Sequence, residues 1–260
     1  MNRVQQEVLI VLQVNKIIHK YMKTVYFLWN FWDTTPISSK LFRNIITWHN
    51  NNPNYSIQIL NKANCDVQMS ECMTWNEIYL SYTLPIQQCD FYRYFLIFRN
   101  GGFYSDIDVV SNLNLDNLKK LFPTKTLFLC TEKVLTSEEQ DKTKLYKQRK
   151  NIAENKIRIS NYFFGCIKKK HKFWKYVLKY CKQRKNTNVI EDYDIIFSTG
   201  PDIITTAYFE YIKNNPNNDI CLLDLDFCKH SLQHSCNSLH NQHSSWRKTL
   251  LHSNPEIINY

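Results

Sequence analysis

The deciding stretch of this sequence is residues 90–110, which read DFYRYFLIFRNGGFYSDIDVV. Its first half is almost continuously apolar and aromatic. With Pro85 at a favourable first position, it predicts a helix over 85–99. Gly101 then occupies the place of a helix-terminating glycine. The residues after it predict a strand over 103–110, so a helix should lead directly into a strand.

Three polar side chains of that strand form the candidate site. Side chains alternate along a strand, so Tyr104, Asp106 and Asp108 should share one face, opposite to an apolar face. The two carboxylates would lie about 7 Å apart near the carboxyl end of the strand, where open α/β sheets bind ligands. Because close carboxylates repel each other unless a cation lies between them, the pair predicts a site for Mn²⁺ or Mg²⁺.

The preceding helix contributes a second polar pair. Asp90 and Arg93 are three positions apart and therefore lie on one helix face, from which they could hold sugar hydroxyls. The alternative is an ordinary ion pair on the helix surface. Asp-x-Asp recurs at 192–194 and 224–226, where we expect surface carboxylates on strands or turns. Only the first copy follows Asp-x-x-Arg, Gly-Gly and an aromatic pair.

The composition indicates a folded protein without a membrane anchor. The 260 residues are 43% hydrophobic and 14% aromatic, which argues against disorder. The N-terminal apolar run, residues 8–12, is far shorter than a membrane span and has no basic region before it. Nine cysteines without a Cys-x-x-Cys pair favour free thiols in a reducing compartment. We therefore expect a soluble, cytoplasmic protein that is not secreted (host cytoplasm or virion, if it is viral).

The remaining patterns alternate between strands and helices, which predicts an α/β sheet layered by helices. Strands are expected over 13–21, 55–59, 126–131, 157–167 and 220–227. Helices are expected to begin at Thr35-Pro36 and Pro201 and to cover 67–81, 114–122 and 171–184. We interpret the chain as one domain, 1–260, with a polar, basic insertion around 136–156 and a C-terminal tail, 228–260, that closes the site.

Positive charge is concentrated in one segment. Residues 142–185 hold sixteen of the 33 lysines and arginines and a single acid, Glu154. Such a block is usually a solvated helix face, but it could also bind nucleic acid, anionic lipid or a phosphorylated ligand. A nucleic-acid-binding module would rest on this segment and on its interleaved aromatic residues, which are Tyr146, Tyr162, Phe163, Phe164, Phe173 and Trp174.

Two further interpretations remain open. A zinc site could be built from Cys228, His230, His234 and Cys236, although that spacing matches no common zinc pattern. A metal-dependent nucleotidyltransferase also uses paired aspartates, but it usually adds a third carboxylate and a Gly-Ser turn, and neither is found. His19, in an apolar predicted strand, is more simply a core histidine.

Taken together, these motifs resemble the glycosyltransferases with the Asp-x-Asp sugar-binding motif. This family-32-like group includes initiating α-1,6-mannosyltransferases and capsular polysaccharide glycosyltransferases. Its hallmark is matched by Asp90, Arg93, Gly101, Gly102, Phe103, Tyr104, Asp106 and Asp108. Weaker matches follow the same order at 16–19, 47–48, 52–55, 199–201 and 243–246. The resemblance is to the soluble bacterial or viral type.

The resemblance implies a nucleotide-diphospho-sugar transferase (GT-A) fold with a mixed, mostly parallel sheet flanked by helices. It implies metal-dependent transfer of a hexose, with retention of configuration. The donor would be GDP-mannose or a UDP-hexose, and the acceptor a glycan or another hydroxyl compound. Nucleic acid is then not expected as a partner.

The same resemblance assigns roles to individual residues. The cofactor, Mn²⁺ or Mg²⁺, would be bound by Asp108, Asp106 and a histidine, which is His243 or, as the alternative, His240. Asp106, Asp108 and Arg93 would form the catalytic centre. Donor binding is assigned to Asp90, Arg93, Tyr104, Gly101, Gly102, Asn161, Ser245, Trp246 and Tyr21. The family's base-stacking tryptophan is replaced here by Met22, so Tyr21 would substitute for it, and Ser245 and Trp246 would touch the diphosphate.

Overall fold

The computed structural model describes residues 23–31, 34–139, 156–189 and 192–234. Its strands are β1 (Thr24–Leu28), β2 (Ser56–Leu60), β3 (Gly102–Ser105), β4 (Val109–Ser111), β5 (Leu127–Val134), β6 (Ile157–Cys166), β7 (Ile220–Leu223) and β8 (Leu232–His234). Its helices are α1 (Ser39–Asn51), α2 (Lys62–Ser70), α3 (Met73–Ser81), α4 (Pro85–Asn100), α5 (Leu115–Leu121), α6 (Lys172–Arg184), α7 (Asp192–Ser198), α8 (Pro201–Asn214) and α9 (Leu225–Ser231).

Six strands form one sheet in the order β2-β1-β3-β6-β5-β7. Strand β6 is antiparallel to its neighbours β3 and β5, whereas the other pairs in this sheet are parallel. The short strands β4 and β8 form a separate antiparallel pair. The predicted α/β class with a mixed, mostly parallel sheet is therefore confirmed, and the architecture is consistent with a GT-A fold.

Helices cover both faces of the six-stranded sheet. Helices α2, α3, α4, α6 and α8 pack on one face, against side chains such as Tyr104 and Phe164. We call them the α4 layer. Helices α1, α5 and α9, the α1 layer, pack on the other face against side chains such as Phe103 and Phe163. Adjacent strand residues therefore point to opposite layers, as the two-residue period of a strand requires.

Helix α4 lies within its layer and is buried on nearly every side. Eleven of its sixteen residues are buried, which explains why its apolar residues do not follow a one-sided helical period. The helix begins at Pro85 and ends at Gly101, whose φ of 68° is in the left-handed region. The helix predicted from the deciding stretch is therefore confirmed.

Two glycines allow the central strands to pack closely. Gly102 has a φ of 91°, and a Cβ atom there would lie 2.8 Å from the carbonyl oxygen of Thr24 on β1. Gly165 on β6 faces the ring of Phe103 so closely that a Cβ atom would overlap it. Any larger residue at either position would push β3 away from a neighbouring strand.

Two predicted helix boundaries are wrong. The expected helix over 67–81 is two helices, α2 and α3. Helix α1 does not begin at Thr35-Pro36. It begins after Ser38, whose hydroxyl accepts a hydrogen bond from the backbone N–H of Leu41 at 3.3 Å. The hydroxyl thus satisfies one of the free donors at the start of the helix.

Strand predictions near the chain ends also need correction. The strand expected over 220–227 ends at Leu223, because Asp224 caps α9 by accepting from the N–H of Phe227 at 2.7 Å. The carboxylates of 192–194 and 224–226 thus lie at helix starts, where the helix dipole favours negative charge. The strand predicted over 13–21 lies outside the described residues, and β1 falls in a segment for which no strand was expected. Apart from the strand predicted over 103–110, the remaining predicted elements of the described ranges are present.

Among the described residues, no helix is both long and apolar enough to cross a membrane. The cysteines of the same ranges are free, and all but Cys72 are buried. Most of the insertion expected around 136–156 lies outside the described residues.

Candidate active site

The Asp-x-Asp motif lies in a turn. Strand β3 ends at Ser105, and the chain resumes extended structure only at Val109. The backbone N–H of Asp106 still donates to the carbonyl of Tyr162 on β6 at 2.8 Å, but the N–H of Val109 turns back to the carbonyl of Asp106 at 3.2 Å. The prediction of one continuous strand over 103–110 is therefore wrong. Asp106 and Asp108 project from a turn instead of alternating along one strand.

Arg93 is the centre of the polar contacts behind this turn. One terminal nitrogen, Nη1, donates to Asp106 Oδ1 at 3.1 Å and to the carbonyl of Asn161 at 3.0 Å. The other, Nη2, lies 3.1 Å from Asp90 Oδ1. The guanidinium group also lies over the ring of Tyr104, 4.9 Å from its centre. One buried cation thus connects α4, the turn and β6.

Asp90 supports Arg93 from within the core. Its Oδ1 also accepts from the side-chain amide of Asn161 at 3.2 Å, and its Oδ2 accepts from the Thr199 hydroxyl at 3.0 Å. Only 3% of Asp90 and 5% of Arg93 is exposed, so the interpretation of this pair as a surface ion pair is wrong. Burial raises the pKa of Asp90 to about 7, although the charge of Arg93 and the bond from Thr199 act in the opposite direction.

Asp106 is hydrogen-bonded to the described residues through only one of its two carboxylate oxygens. Its Oδ1 accepts from Arg93 and from the Tyr104 hydroxyl at 2.5 Å. Loss of surrounding water raises the pKa of Asp106, the charge of Arg93 lowers it, and the charge of Asp108 raises it, with a net increase. About a third of the side chain remains exposed. The carboxylate is therefore fixed in direction and still accessible.

His234 lies beside Asp108 and had no assigned role in this site. Strand β8 pairs with β4 so that His234 is opposite Val109, the residue after Asp108. Its Nδ1 lies 3.8 Å from Asp108 Oδ1, and its ring contacts Tyr162 edge-on, with centres 4.7 Å apart. Burial lowers the pKa of His234, but the neighbouring carboxylate of Asp108 outweighs this effect, so the pKa is raised.

The zinc interpretation of the same region receives no support from the described residues. The His230 ring bonds to the carbonyl of Asp226, and Cys228 lies on the buried side of α9. Within the described ranges, no group of three histidine, cysteine or acidic side chains could hold a metal ion. Cys236 lies outside them. No sequence signal could have placed His234 at the turn, because a three-residue strand has no readable period.

Helix α1 holds the backbone around and after the Asp-x-Asp turn. The Asn44 amide donates to the carbonyl of Ile107 at 3.1 Å, and the Trp48 indole donates to the carbonyl of Val109 at 3.0 Å. The hydroxyl of Thr47 accepts from the N–H of Ser111 at 2.9 Å. The motif at 47–48 therefore positions the turn through its backbone.

The motif at 52–55 also holds backbone groups, at the segment that leads from β4 into α5. Asn52 donates to the carbonyl of Leu113 at 2.9 Å and accepts from the N–H of Leu115 at 2.7 Å, which attaches the start of α5. The hydroxyl of Tyr55 reaches Asp116 at 3.1 Å. The motif at 199–201 lies behind Asp90, where Tyr94 donates to the carbonyl of Thr199 at 2.8 Å. All three motifs support the site from behind.

The structure brings together six of the predicted site residues, which are Asp90, Arg93, Tyr104, Asp106, Asp108 and Asn161. Gly101 and Gly102 lie at the opposite, amino end of β3, where they form the passage from α4 into the strand. Tyr21, His243, Ser245 and Trp246, with the alternative ligand His240, lie outside the described residues.

The fold and the aspartate turn are those of an α/β protein and are consistent with the GT-A class, and comparison with known proteins adds to this description. Residues 38–125 match the family described as the glycosyltransferase sugar-binding region containing the DXD motif. The chain is also 29% identical over 165 residues to an uncharacterised glycosyltransferase of Acanthamoeba polyphaga mimivirus. This match covers 62% of the chain and 51% of the relative, so the chain spans about half the relative's length. These findings support a glycosyltransferase with the DXD motif, and the relative named here is viral.

Two solved structures are distantly similar in overall chain path. One is the PaToxG glycosyltransferase, with a TM-score of 0.45 and 14% identity over 82% of this chain and 77% of that one. The other is the ligand-free glycosyltransferase domain of the YGT toxin, with a TM-score of 0.49 and 8% identity over 77% of this chain and 79% of that one.

Proposed function

We propose that the protein transfers a hexose from a nucleoside diphosphate sugar to a hydroxyl group of a glycan or another acceptor. The observation that carries this proposal is the Asp106–Asp108 turn, held by buried Arg93 at the carboxyl end of β3. That turn lies inside the segment that matches the DXD sugar-binding region. In open α/β sheets, ligands bind at this end of the strands.

The proposed reaction depends on a divalent ion, and the residues present fit one. Arg93 and Tyr104 both donate to Oδ1 of Asp106, and no described residue donates to its Oδ2. Asp108 is partly exposed in the same turn. Two carboxylates with accessible oxygens are the donor set that Mn²⁺ and Mg²⁺ prefer. When bound, such an ion would neutralise the charge that develops on a departing diphosphate.

A histidine would complete the ligand set. The resemblance assigns this role to His243, with His240 as the alternative, and both lie outside the described residues. His234 lies beside this turn, with its Nδ1 3.8 Å from Asp108 Oδ1, but within the described ranges it does not form a three-residue metal-binding group with the aspartates.

The roles of the other residues follow from their contacts. Arg93 fixes Asp106 Oδ1, which leaves the second oxygen of that carboxylate directed away from the core. Asp90, Thr199 and Asn161 hold Arg93 in place. In this proposal Asp90 and Arg93 orient the donor sugar largely through Asp106, since both are almost fully buried. Tyr104 lines the pocket and adds a second bond to Asp106.

Retention of configuration, and the use of GDP-mannose or a UDP-hexose, are carried over from the resemblance. Among the described residues, none stands out as a general base that would deprotonate the acceptor hydroxyl. This suits a mechanism in which the leaving diphosphate itself accepts the acceptor proton. The donor can be narrowed by measuring the binding of GDP and UDP separately by calorimetry.

The test is a panel of nucleotide sugars assayed for slow hydrolysis with Mn²⁺ and with EDTA. We expect at least one donor to be hydrolysed only with metal, and Asp108→Ala to abolish that activity. Asp226→Ala is the matched control, because it removes an exposed aspartate from another Asp-x-Asp sequence. A folded protein that neither binds nor hydrolyses any donor with metal would overturn the proposal, as would equal activity in EDTA.

A further inference from the structure

A row of lysines runs along the outer face of α6. Lys172, Lys175, Lys179 and Lys182 are exposed and follow one another at intervals of three, four and three residues. Residues at these intervals lie on one side of a helix, so the four ammonium groups form a line about 15 Å long. We call these four residues the lysine row. None of them forms an ion pair with another described residue.

The opposite side of α6 fixes the direction of this row. Phe173, Trp174, Val177 and Leu178 are fully buried in the core of the α4 layer. The Trp174 ring stacks on Tyr94 of α4, with centres 6.2 Å apart. Because this side cannot leave the core without exposing several large apolar side chains, the lysine row must face outward.

The surroundings of the row are also positive. Lys168, Lys169 and Lys170 are exposed immediately before α6, although Lys168 pairs with Asp219 at 3.0 Å. The described segment 156–189 contains no aspartate or glutamate. Within this segment the row is therefore not part of an alternating network of ion pairs.

Exposed apolar side chains lie on the same helical layer. Met73 is 77% exposed, Val67 64% and Leu80 62%, and they belong to α2 and α3. The end of α3 is attached to α6, since the Tyr82 hydroxyl donates to the carbonyl of Cys181 at 2.8 Å. Exposed apolar side chains and a line of lysines on one helical layer are typical of surfaces that bind membranes peripherally.

The same segment is poorly suited to nucleic acid. Phe163, Phe164, Phe173 and Trp174, which could have stacked on bases, are fully buried in the core. Stacking on exposed aromatic side chains is the usual source of affinity for single strands. The row consists of lysines, which act as point charges and suit a diffuse anionic surface better than bidentate recognition.

We propose that the outer face of the α4 layer binds a membrane rich in anionic lipid, with the lysine row as its main contact. The lysines attract the headgroups, and Met73 and Leu80 enter the interface beside them. This binding is separate from the transferase activity proposed above and needs neither donor nor metal.

The test is cosedimentation with phosphatidylcholine vesicles, with and without phosphatidylserine. The row variant carries Lys172→Gln, Lys175→Gln and Lys179→Gln. The control variant carries Arg43→Gln, Lys120→Gln and Lys229→Gln, which remove three exposed charges from the α1 layer. Both variants lose the same net charge, so only the position of the lost charges differs.

We expect the wild type to bind only vesicles that contain phosphatidylserine, and less tightly as salt is raised. The row variant should bind on the order of 100-fold more weakly, since each lysine near an anionic surface contributes severalfold. The control variant should lose much less. A further variant, Met73→Ser with Leu80→Ser, should reduce the binding that persists at high salt.

Three outcomes would overturn the proposal. They are equal binding to vesicles without phosphatidylserine, equal losses in the row and control variants, and no vesicle binding together with tight, row-dependent binding of a labelled oligonucleotide. Thermal unfolding of each variant excludes misfolding as the cause of a loss. Because the assay uses no sugar donor, its failure would leave the transferase proposal unaffected.

Discussion

Two groups of charged residues lie at opposite ends of the same sheet and behave differently. The Arg93 cluster (Asp90, Arg93, Tyr104, Asp106, Asn161 and Thr199) lies at the carboxyl end of β3. The Asp219 cluster (Thr126, Lys168, His171 and Asp219) lies at the amino ends of the parallel strands β5 and β7.

In the Asp219 cluster, favourable contacts outweigh the loss of water. Asp219 accepts from the Thr126 hydroxyl, from His171 Nε2 at 2.8 Å and from Lys168 at 3.0 Å. Burial raises the pKa of Asp219, but these three partners together lower it by more than burial raises it, so the pKa lies well below its ordinary value. His171 also accepts from the N–H of Phe173 and so caps α6. This cluster connects the first turn of α6 to the sheet.

In the Arg93 cluster, burial outweighs the partners. The pKa values of Asp90 and Asp106 are both raised, although both carboxylates contact Arg93. The same kinds of residue therefore stabilise the fold at one end of the sheet, whereas at the other end burial disfavours the charged form of the carboxylates. Perturbed carboxylates of this kind are typical of functional sites.

The largest effect should come from breaking the Arg93 cluster. Arg93→Met should destabilise the protein by about 3–5 kcal/mol, because Asp90 and Asp106 would lose their buried counter-charge. Donor hydrolysis should also be lost. Urea unfolding measures the first effect. The double variant Arg93→Met/Asp90→Asn should regain part of the stability, and a single variant as stable as the wild type would contradict this account of the cluster.

Removing the charge of the other cluster should cost less. Asp219→Asn should lower the free energy of unfolding by about 1–3 kcal/mol at neutral pH, since His171 and Lys168 lose a charged acceptor. The rate of donor hydrolysis should stay at the wild-type level. The exposed control Asp226→Asn should change stability by no more than about 0.5 kcal/mol. A loss of activity without a loss of stability in Asp219→Asn would reverse the proposed contrast.

The two carboxylates should give opposite pH dependence. The pKa of Asp219 is lowered by folding, so its contribution is complete above about pH 4 and is lost as the pH falls further. The pKa of Asp90 is raised to about 7, so the folded state holds a proton that the unfolded state has lost, and stability falls as the pH rises from about 4 to 7.

Unfolding by urea at a series of pH values tests these signs. Asp219→Asn should flatten the acid side of the stability curve. Asp90→Asn should remove the decline between about pH 4 and 7. Identical changes of slope in both variants would mean that the clusters do not differ in the sense proposed.

The smallest effect should come from the support behind Asp90. Thr199→Val keeps the shape of the side chain but removes the hydroxyl that donates to Asp90 Oδ2, and should cost about 1 kcal/mol. The decline of stability attributed to Asp90 should also extend to higher pH, because a bond that favours the charged form is lost. Thr199→Ser should behave like the wild type, and a loss of the same size in Thr199→Ser would show that packing matters here and not the hydroxyl.

Local signals explain why α4 was predictable and the following turn was not. Pro85, a continuous apolar run and Gly101 lie next to one another in sequence, and each acts on its own neighbours. The break after Ser105 depends on β6, whose Tyr162 carbonyl binds the N–H of Asp106, and on β8, which pairs with β4. The alternating polarity over 103–110 does not predict contacts with those distant partners.

The candidate site likewise has a part that the sequence predicts and a part that it does not. The residues that bear its chemistry could be read from one segment, because Asp90, Arg93, Asp106 and Asp108 lie within nineteen positions. The residues that hold them could not. Thr199 is 109 positions from Asp90, and Asn161 is 68 from Arg93. His234 reaches Asp108 only through the pairing of two three-residue strands.

The sequence by itself determined the α/β class, the buried helix α4, the glycine passage into β3 and the acidic motif beyond it. These features depend on side-chain pattern and backbone freedom over a few adjacent residues. The tertiary structure alone decided that the aspartates project from a turn, that Asp90 and Arg93 are buried, and that the lysines of α6 form an outward row. Those properties depend on which distant segments remove water from a side chain, and no local pattern specifies that choice.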